Sequence, residues 1–223
     1  MISITNFLNL KTHNELKNAK SSTNLVWKFV YFSKRLIMNL KLELRTKNFL
    51  IQQIQKSDFE GLFLAASDPE IWKLHPDRNR YQRDRFEVYF NSGLQAPAFY
   101  KILNSKNQEI VGSTRFYGYQ ALNNFIELGY TFLIKKYWGG LTNLEIKRAL
   151  LDEAFQTVES VFFTVGNQNF RSQRAMEKIG GLKVEKPAEL NLAGNLSAAV
   201  VYQIRKNQMA HINQLYNLKV QQS

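Results

Sequence analysis

FIELGYTFLIKKYW, residues Phe125 to Trp138, is the stretch on which the fold turns. It reads as a strand that runs into Gly139-Gly140, after which a helix starts near Asn143 and reaches Val158, with Leu144, Leu151, Ala154, Phe155 and Val158 on one face. Val161 to Val165 returns as a β-rich strand, and a last helix opens at Asn169-Phe170-Arg171-Ser172 and stops at the glycine C-cap Gly180-Gly181. A helix between two strands implies a parallel crossover. The backbone N–H groups at the start of its helix face an open loop, an arrangement that attracts phosphate.

Upstream, Ala98 to Leu103, Ile110 to Tyr119 and Phe125 to Ile134 are strand-like and are separated by hairpin-type turns at 104–107 and 120–124, which predicts an antiparallel meander. Asn48 to Ile54 predicts an earlier strand. A helix then opens at Ser57 or Asp58 and runs through Phe59, Leu62, Phe63 and Ala66. Ser197 to Ile204 supplies a closing strand. The expected fold class is α+β, a single domain on one mixed, mostly antiparallel sheet with helices on both faces. Residues 38–206 are expected to form this domain, after a basic extension over 1–37 that is either not native or not part of the fold. Residues 207–223 are expected to be a tail or short helix, with Met209, Ile212, Leu215 and Tyr216 at helical spacing.

Composition narrows the chemistry. The chain has 223 residues, 44% of them hydrophobic, enough for one sizeable core. The absence of cysteine excludes disulfides and thiolate chemistry, and three scattered histidines (His13, His75, His211) argue against a metal enzyme, so no metal ligands are assigned. No apolar run is long enough to span a bilayer, and a soluble, cytoplasmic protein is expected. The net charge is +12; residues 1–37 hold six cations and one anion, or +5, which leaves +7 for the rest. Such a balance steers anions toward the surface. Within Trp72 to Arg85 lie Lys73, Arg78, Arg80, Arg83 and Arg85 with Asp77 and Asp84, readable as a site for an acidic peptide or ribosomal RNA, or as a charged surface laced with internal ion pairs.

Glu127-Leu128-Gly129-Tyr130, Tyr137-Trp138-Gly139-Gly140, Glu145 with Ala154-Phe155, Asn169-Phe170-Arg171-Ser172 and Glu177-Lys178-Ile179-Gly180-Gly181, in that order, resemble the acyl-CoA-dependent N-acetyltransferases of the GNAT superfamily, with the ribosomal-protein N-terminal acetyltransferases as the nearest branch. The resemblance covers roughly residues 39 to 206. It implies acetyl-CoA as co-substrate, no metal, and a direct transfer of acetyl to an amine acceptor such as a ribosomal-protein N-terminus. It implies no membrane and no specific nucleic-acid partner. By position it implies that Thr131, Phe132 and Leu133 pair with the pantetheine arm, that Trp138 lines the cofactor slot, that Gly139, Gly140, Leu141, Thr142 and Asn143 surround the pyrophosphate, and that Asn169 and Ser172 contact CoA.

The residues add their own constraints. Removing the proton of an α-amine at pH 7 costs about 1 kcal/mol and that of a lysine about 4.6, so a single carboxylate suffices as base for the former. Glu127 is the candidate: strict alternation puts it with Phe125, Gly129 and Thr131, away from the apolar set Ile126, Leu128, Tyr130 and Phe132. The competing reading makes it an exposed glutamate paired with Arg115. The helix from Asn169 to Gly181 contains no tyrosine, so Ser172 is the candidate acid, although a hydrogen-bonding role at the helix start suits it equally. Two features oppose cofactor binding: Leu141 and Asn143 stand where the family has small residues, and Thr142-x-x-Glu145 reads as a capping box that would occupy the N–H groups meant for phosphate. Against these, Asn143 can donate to phosphate and Lys135, Lys136, Lys147 and Arg148 flank the loop, which favours phosphate there, although each lysine taken alone reads as a solvated surface residue. The alternatives are a small-molecule amine acetyltransferase and an inactive CoA-sensing or nucleic-acid-binding module on the same fold.

Overall fold

The computed structural model describes residues 39–188, 190 and 199–222; the expected basic extension over 1–37 lies outside them. Strands β1 (Glu43–Arg45) and β2 (Phe49–Gln53) form a hairpin where the sequence predicted one strand, because Thr46 reverses the chain by bonding to Phe49. Helices α1 (Phe59–Ala66), α2 (Pro69–Trp72) and α3 (Arg83–Leu94) follow, then the meander β3 (Ala98–Asn104), β4 (Ile110–Gln120) and β5 (Phe125–Leu133). The crossover helix α4 (Thr142–Ala154) leads to β6 (Ser160–Gly166) and α5 (Phe170–Lys178), and the chain ends with β7 (Leu182–Val184), β8 (Ala199–Arg205) and α6 (Met209–Gln221). Eight strands make one sheet in the order β1-β2-β3-β4-β5-β6-β8-β7, antiparallel except for the β5–β6 pair.

That pair positions the site. β5 and β6 are joined only at Phe125, Ile126 and Glu127, opposite Ser160, Val161 and Phe162, and beyond Glu127 they diverge into a V. The divergence has a local cause. Against β4, Ser113 faces Phe132 and Arg115 faces Gly129, so β5 holds one residue too many, and Tyr130 takes up the slack with φ 50°. Such a bulge bends its strand. It also reverses the alternation after Gly129, so Thr131 joins the face of Leu128 and Phe132 joins that of Glu127, contrary to the strict period of two read from the sequence.

The two faces are covered differently. On the Glu127 side, α1, α2 and α3 bury an aromatic cluster that includes Trp72, Phe86, Tyr89, Phe90, Phe99 and Phe132. On the Thr131 side lies α4, whose Leu144, Leu150, Leu151 and Ala154 are buried. α6 docks on α4 through Ile212 and Tyr216, and Arg148 stacks on the Tyr216 ring at 4.6 Å instead of standing in solvent.

Candidate active site

Glu127 lies at the point where the strands part and is fully buried, which overturns the competing reading of an exposed side chain. Its Oε2 accepts a hydrogen bond from Thr164 Oγ1 at 3.1 Å, and the Tyr117 hydroxyl stands beside the carboxylate. Oε1 has no partner. Burial pushes the Glu127 pKa up to about 7, against the opposing pull of Thr164 and Tyr117. Two glycines make room for this arrangement. A Cβ on Gly118, which sits at φ 57°, would fall 2.6 Å from Glu127 Oε1, and one on Gly129 would fall 3.1 Å from the Tyr117 hydroxyl. Arg115, the expected surface partner of Glu127, is buried instead among the rings of Tyr89, Phe99 and Tyr130.

A cleft of about 810 Å³ fills the V. Its walls are Gly129–Leu133 of β5 and Phe163–Gly166 of β6, completed by Trp138, Asn143, Asn169 and Ser172 and by α2 with the segment between α2 and α3; Arg171 ties α2 to α5 by donating to the Ile71 carbonyl. Thr131, Phe132, Leu133, Trp138, Gly139, Asn143, Asn169 and Ser172 all line it. Trp138 Nε1 donates to the Leu133 carbonyl at 2.7 Å and the Arg171 guanidinium covers its ring at 3.9 Å, so the indole is a wall of the slot held in place from both sides. Asn169 caps α5 by accepting from the Ser172 N–H at 3.1 Å.

The capping box predicted at Thr142 does not form. Leu141 is the N-cap of α4 and no side chain caps that helix, while the Glu145 carboxylate turns away to accept from the backbone and side-chain nitrogens of Asn48 at 2.8 and 2.9 Å. The first N–H groups of α4 are therefore left for a ligand, the pattern of a phosphate site. The glycine shift is explained as well: Gly139 takes φ 83°, a conformation that favours glycine, and the space beside Gly139 and Gly140 is open. Leu141 and Gly140 border a second recess of about 730 Å³ between α4, α5 and α6, whose cations are Arg171, Arg174, Lys178 and Lys219. None of these was singled out as a phosphate ligand from the sequence. They converge only because α5 and α6 dock beside the loop, and local spacing carries no sign of that.

The flanking cations that were singled out serve elsewhere. Lys136 pairs with Glu109 at 2.6 Å. Lys147, expected on a solvated face, is fully buried at the floor of the V, where Nζ donates to Thr131 Oγ1 at 2.7 Å and Thr114 Oγ1 at 3.3 Å. Burial alone pushes its pKa down to about 7. Among the 72–85 cations, Lys73 and Arg83 pair with Glu70 and Glu60, as an ion-paired surface would, but Arg80 turns inward. Sequence reading also passed over Tyr117, whose role depends on its cross-strand position opposite Glu127.

An acetyltransferase (GNAT) domain model matches residues 48–181, more than half of the chain, and the chain belongs to that family. Solved structures share the fold. One is a GCN5-related N-acetyltransferase from Brucella melitensis, at 13% identity and TM-score 0.69, covering 81% of this chain and 86% of that one. Another, from Vibrio cholerae and assigned as a ribosomal-protein-serine acetyltransferase, has 15% identity and TM-score 0.61 over 75% and 99% of the two chains. The spermidine N-acetyltransferase from Vibrio cholerae, in complex with CoA and spermine, has 11% identity and TM-score 0.57 over 73% and 98%. No curated protein sequence matches the chain. Membership makes the protein an acyltransferase that uses acetyl-CoA to acetylate an amine. No helix among the described residues is long and apolar enough to cross a membrane.

Proposed function

We infer that the protein is an N-acetyltransferase in which Glu127 is the general base and the acceptor is an α-amine, with a protein N-terminus as the expected source. One observation carries this reading: a buried carboxylate with a pKa of about 7 and one unpartnered oxygen, placed where β5 and β6 separate. A base of that strength is matched to an amine whose own pKa is roughly 7.7 to 8.0, and less suited to a lysine at about 10.4. The uncapped start of α4, with Gly139, Gly140, Leu141, Thr142 and Asn143, would hold the pyrophosphate, and Thr131 to Leu133 would border the pantetheine arm. Acetyl-CoA supplies the acetyl thioester. Glu127 is fully buried and is not among the residues lining the cleft, so it would take the proton of the acceptor ammonium through an intervening water, while Thr164 holds Oε2. Among the hydroxyls lining the cleft, Ser172 and Tyr117 are the proposed proton donors, and Tyr117 stands nearer the base.

The experiment is a melting curve with and without acetyl-CoA, followed by turnover on peptides that differ only in a free or blocked N-terminus. At a concentration about one hundred times Kd, linkage gives about 2.7 kcal/mol of stabilisation, a rise of roughly 5 to 10 °C. Turnover of the free-amine peptide that is lost in Glu127→Gln supports the reading. No rise in melting temperature at saturating acetyl-CoA would refute it and favour a binding module.

A further inference from the structure

The wall of the cleft on the side of α2 and α3 is rich in hydrogen-bond donors. Arg78 and Arg80 line it from the α2–α3 connection and Arg85 from the first turn of α3, and Asp77 is the one carboxylate among the described lining residues. Arg80 is only 9% exposed, its guanidinium lying over the rings of Trp72 at 5.2 Å and Tyr89 at 4.9 Å. Its Nε has no hydrogen-bond partner among the described residues and makes only a long ion pair with Asp77 at 3.5 Å, a carboxylate that also faces Arg85 at 3.9 Å. The same Tyr89 ring lies 4.8 Å from a second buried guanidinium, that of Arg115, which bonds only to Ser92 Oγ and the Tyr89 carbonyl and whose Nε is also unpartnered.

His75 sharpens the imbalance. Its Nδ1 accepts from the Asp77 N–H at 2.9 Å, so the neutral ring carries its proton on Nε2, which meets Arg80 Nη1 at 3.3 Å, one donor against another. Burial and the Arg80 charge push the His75 pKa down to about 4. Arg80 and Arg85 therefore share the one half-buried carboxylate of Asp77, and Arg115 has no ion pair among the described residues. Buried cations ordinarily have a partner, because an unpaired charge out of water is costly. The cluster is also close to the base: the Tyr130 ring lies 3.8 Å from the Arg115 guanidinium and meets the Tyr117 ring edge-on at 5.1 Å, and Tyr117 adjoins Glu127.

The geometry points to an acceptor that carries an anionic group, carboxylate or phosphate, on the far side of its reactive amine, with Arg80 as the residue that binds it. This rests on the acetyltransferase reading. With the amine at Glu127, the rest of the acceptor extends past Tyr130 to Arg80, while Arg78 and Arg85 at the rim draw anions in. The missing acceptor for Arg80 Nε and for the His75–Arg80 contact is then supplied by the substrate. A polycationic amine brings the wrong charge to this wall.

The test uses the full chain, saturated with acetyl-CoA, and matched probes: glucosamine 6-phosphate against glucosamine, a peptide beginning Ser-Glu-Asp against one beginning Ser-Lys-Arg, and spermidine. Two readouts are taken, kcat/KM from CoA release and the fluorescence of the tryptophans, among them Trp72 beside Arg80. The anionic member of each pair is expected to be favoured by roughly tenfold or more, and whichever pair shows it separates a phosphate-bearing small amine from an acidic N-terminus. Arg80→Met should erase that preference, Arg80→Lys should restore part of it, and both should keep the acetyl-CoA-induced rise in melting temperature. Equal or better use of the neutral or cationic members overturns the proposal, as does an Arg80→Met effect of equal size on both members of a pair. If no probe turns over, saturable fluorescence change with the anionic probes alone, absent in Arg80→Met, supports it; no such change overturns it. Failure of the underlying reading would show separately, as no response to acetyl-CoA.

Discussion

Replacing Lys147 with methionine should change how the stability of this protein depends on pH, and in one direction only. The folded chain holds the Lys147 amine at about 7, against an ordinary 10.5 in the unfolded chain, with burial as the cause. Between those values the unfolded state binds a proton that the folded state lacks, so stability rises with pH across that window. One pH unit corresponds to about 1.4 kcal/mol at full slope and about half that at pH 7 itself, so from pH 7 to 9.5 the lysine contributes a gain of about 3 kcal/mol. Other groups titrate over the same range, but they are common to both proteins and cancel in a difference. The assay is urea unfolding of wild type and Lys147→Met at pH 6, 7, 8, 9 and 9.5, without cofactor. The wild-type stability minus that of the variant should be flat below pH 7 and then climb. At pH 6 the variant should be the more stable, because a buried ammonium held only by two threonine hydroxyls is replaced by an apolar chain of similar length. A difference that stays constant from pH 7 to 9.5 would refute the reasoning, since it would mean that Lys147 keeps its proton in the fold.

Glu127→Gln should lower kcat/KM by about 10²- to 10⁴-fold, and wild-type kcat/KM should rise with pH through about 7. The folded pKa of Glu127 is raised, so its burial costs stability as pH rises from 4.5 to 7 and that stability stays lost above; the variant should therefore be more stable than wild type at pH 8, by up to about 3 kcal/mol in urea unfolding. Gly118→Ala should displace the Glu127 carboxylate, because the new methyl group would fall 2.6 Å from Oε1, and should also strain a backbone at φ 57°; loss of activity with a shifted pH profile in a folded protein is expected. Arg174→Glu, at the recess beside the α4 N-terminus, should shrink the acetyl-CoA-induced rise in melting temperature most at low salt, while the unliganded melting temperature stays close to wild type.

Much of the frame was legible in the chain itself. The meander, the crossover helix and the capped last helix each declare themselves through local patterns of two and 3.6 residues and through Asn169 and Gly180. Glu127 was found by its place on a strand near the family-like run, but its burial was not, because alternation assumes an unbroken strand and Tyr130 breaks it. That one inserted residue moved Thr131 and Phe132 to opposite faces and brought Lys147 under the sheet. The supposed box of Thr142 and Glu145 failed for a different reason: Glu145 finds Asn48 nearly one hundred positions earlier, at an |i−j| of 97, and local spacing cannot reveal such a competitor. The same holds for Tyr117 beside Glu127 and for Arg174 and Lys219 beside the loop.

The parting of β5 and β6 also places an open strand edge in the middle of a sheet. Exposed edges at the rim of a sheet recruit other chains, and proteins guard them with charges, bulges or short strands. Here the guard is shape: past Glu127 the β5 edge that lacks a β6 partner faces inward across a wedge, and a foreign β-strand with its own neighbours cannot enter it. What fits is a slender, unaccompanied chain with an amide or two of its own. The choice of such a guest is made largely by main-chain atoms that every sequence shares, which leaves the side chains along this strand free to differ among proteins of the same fold.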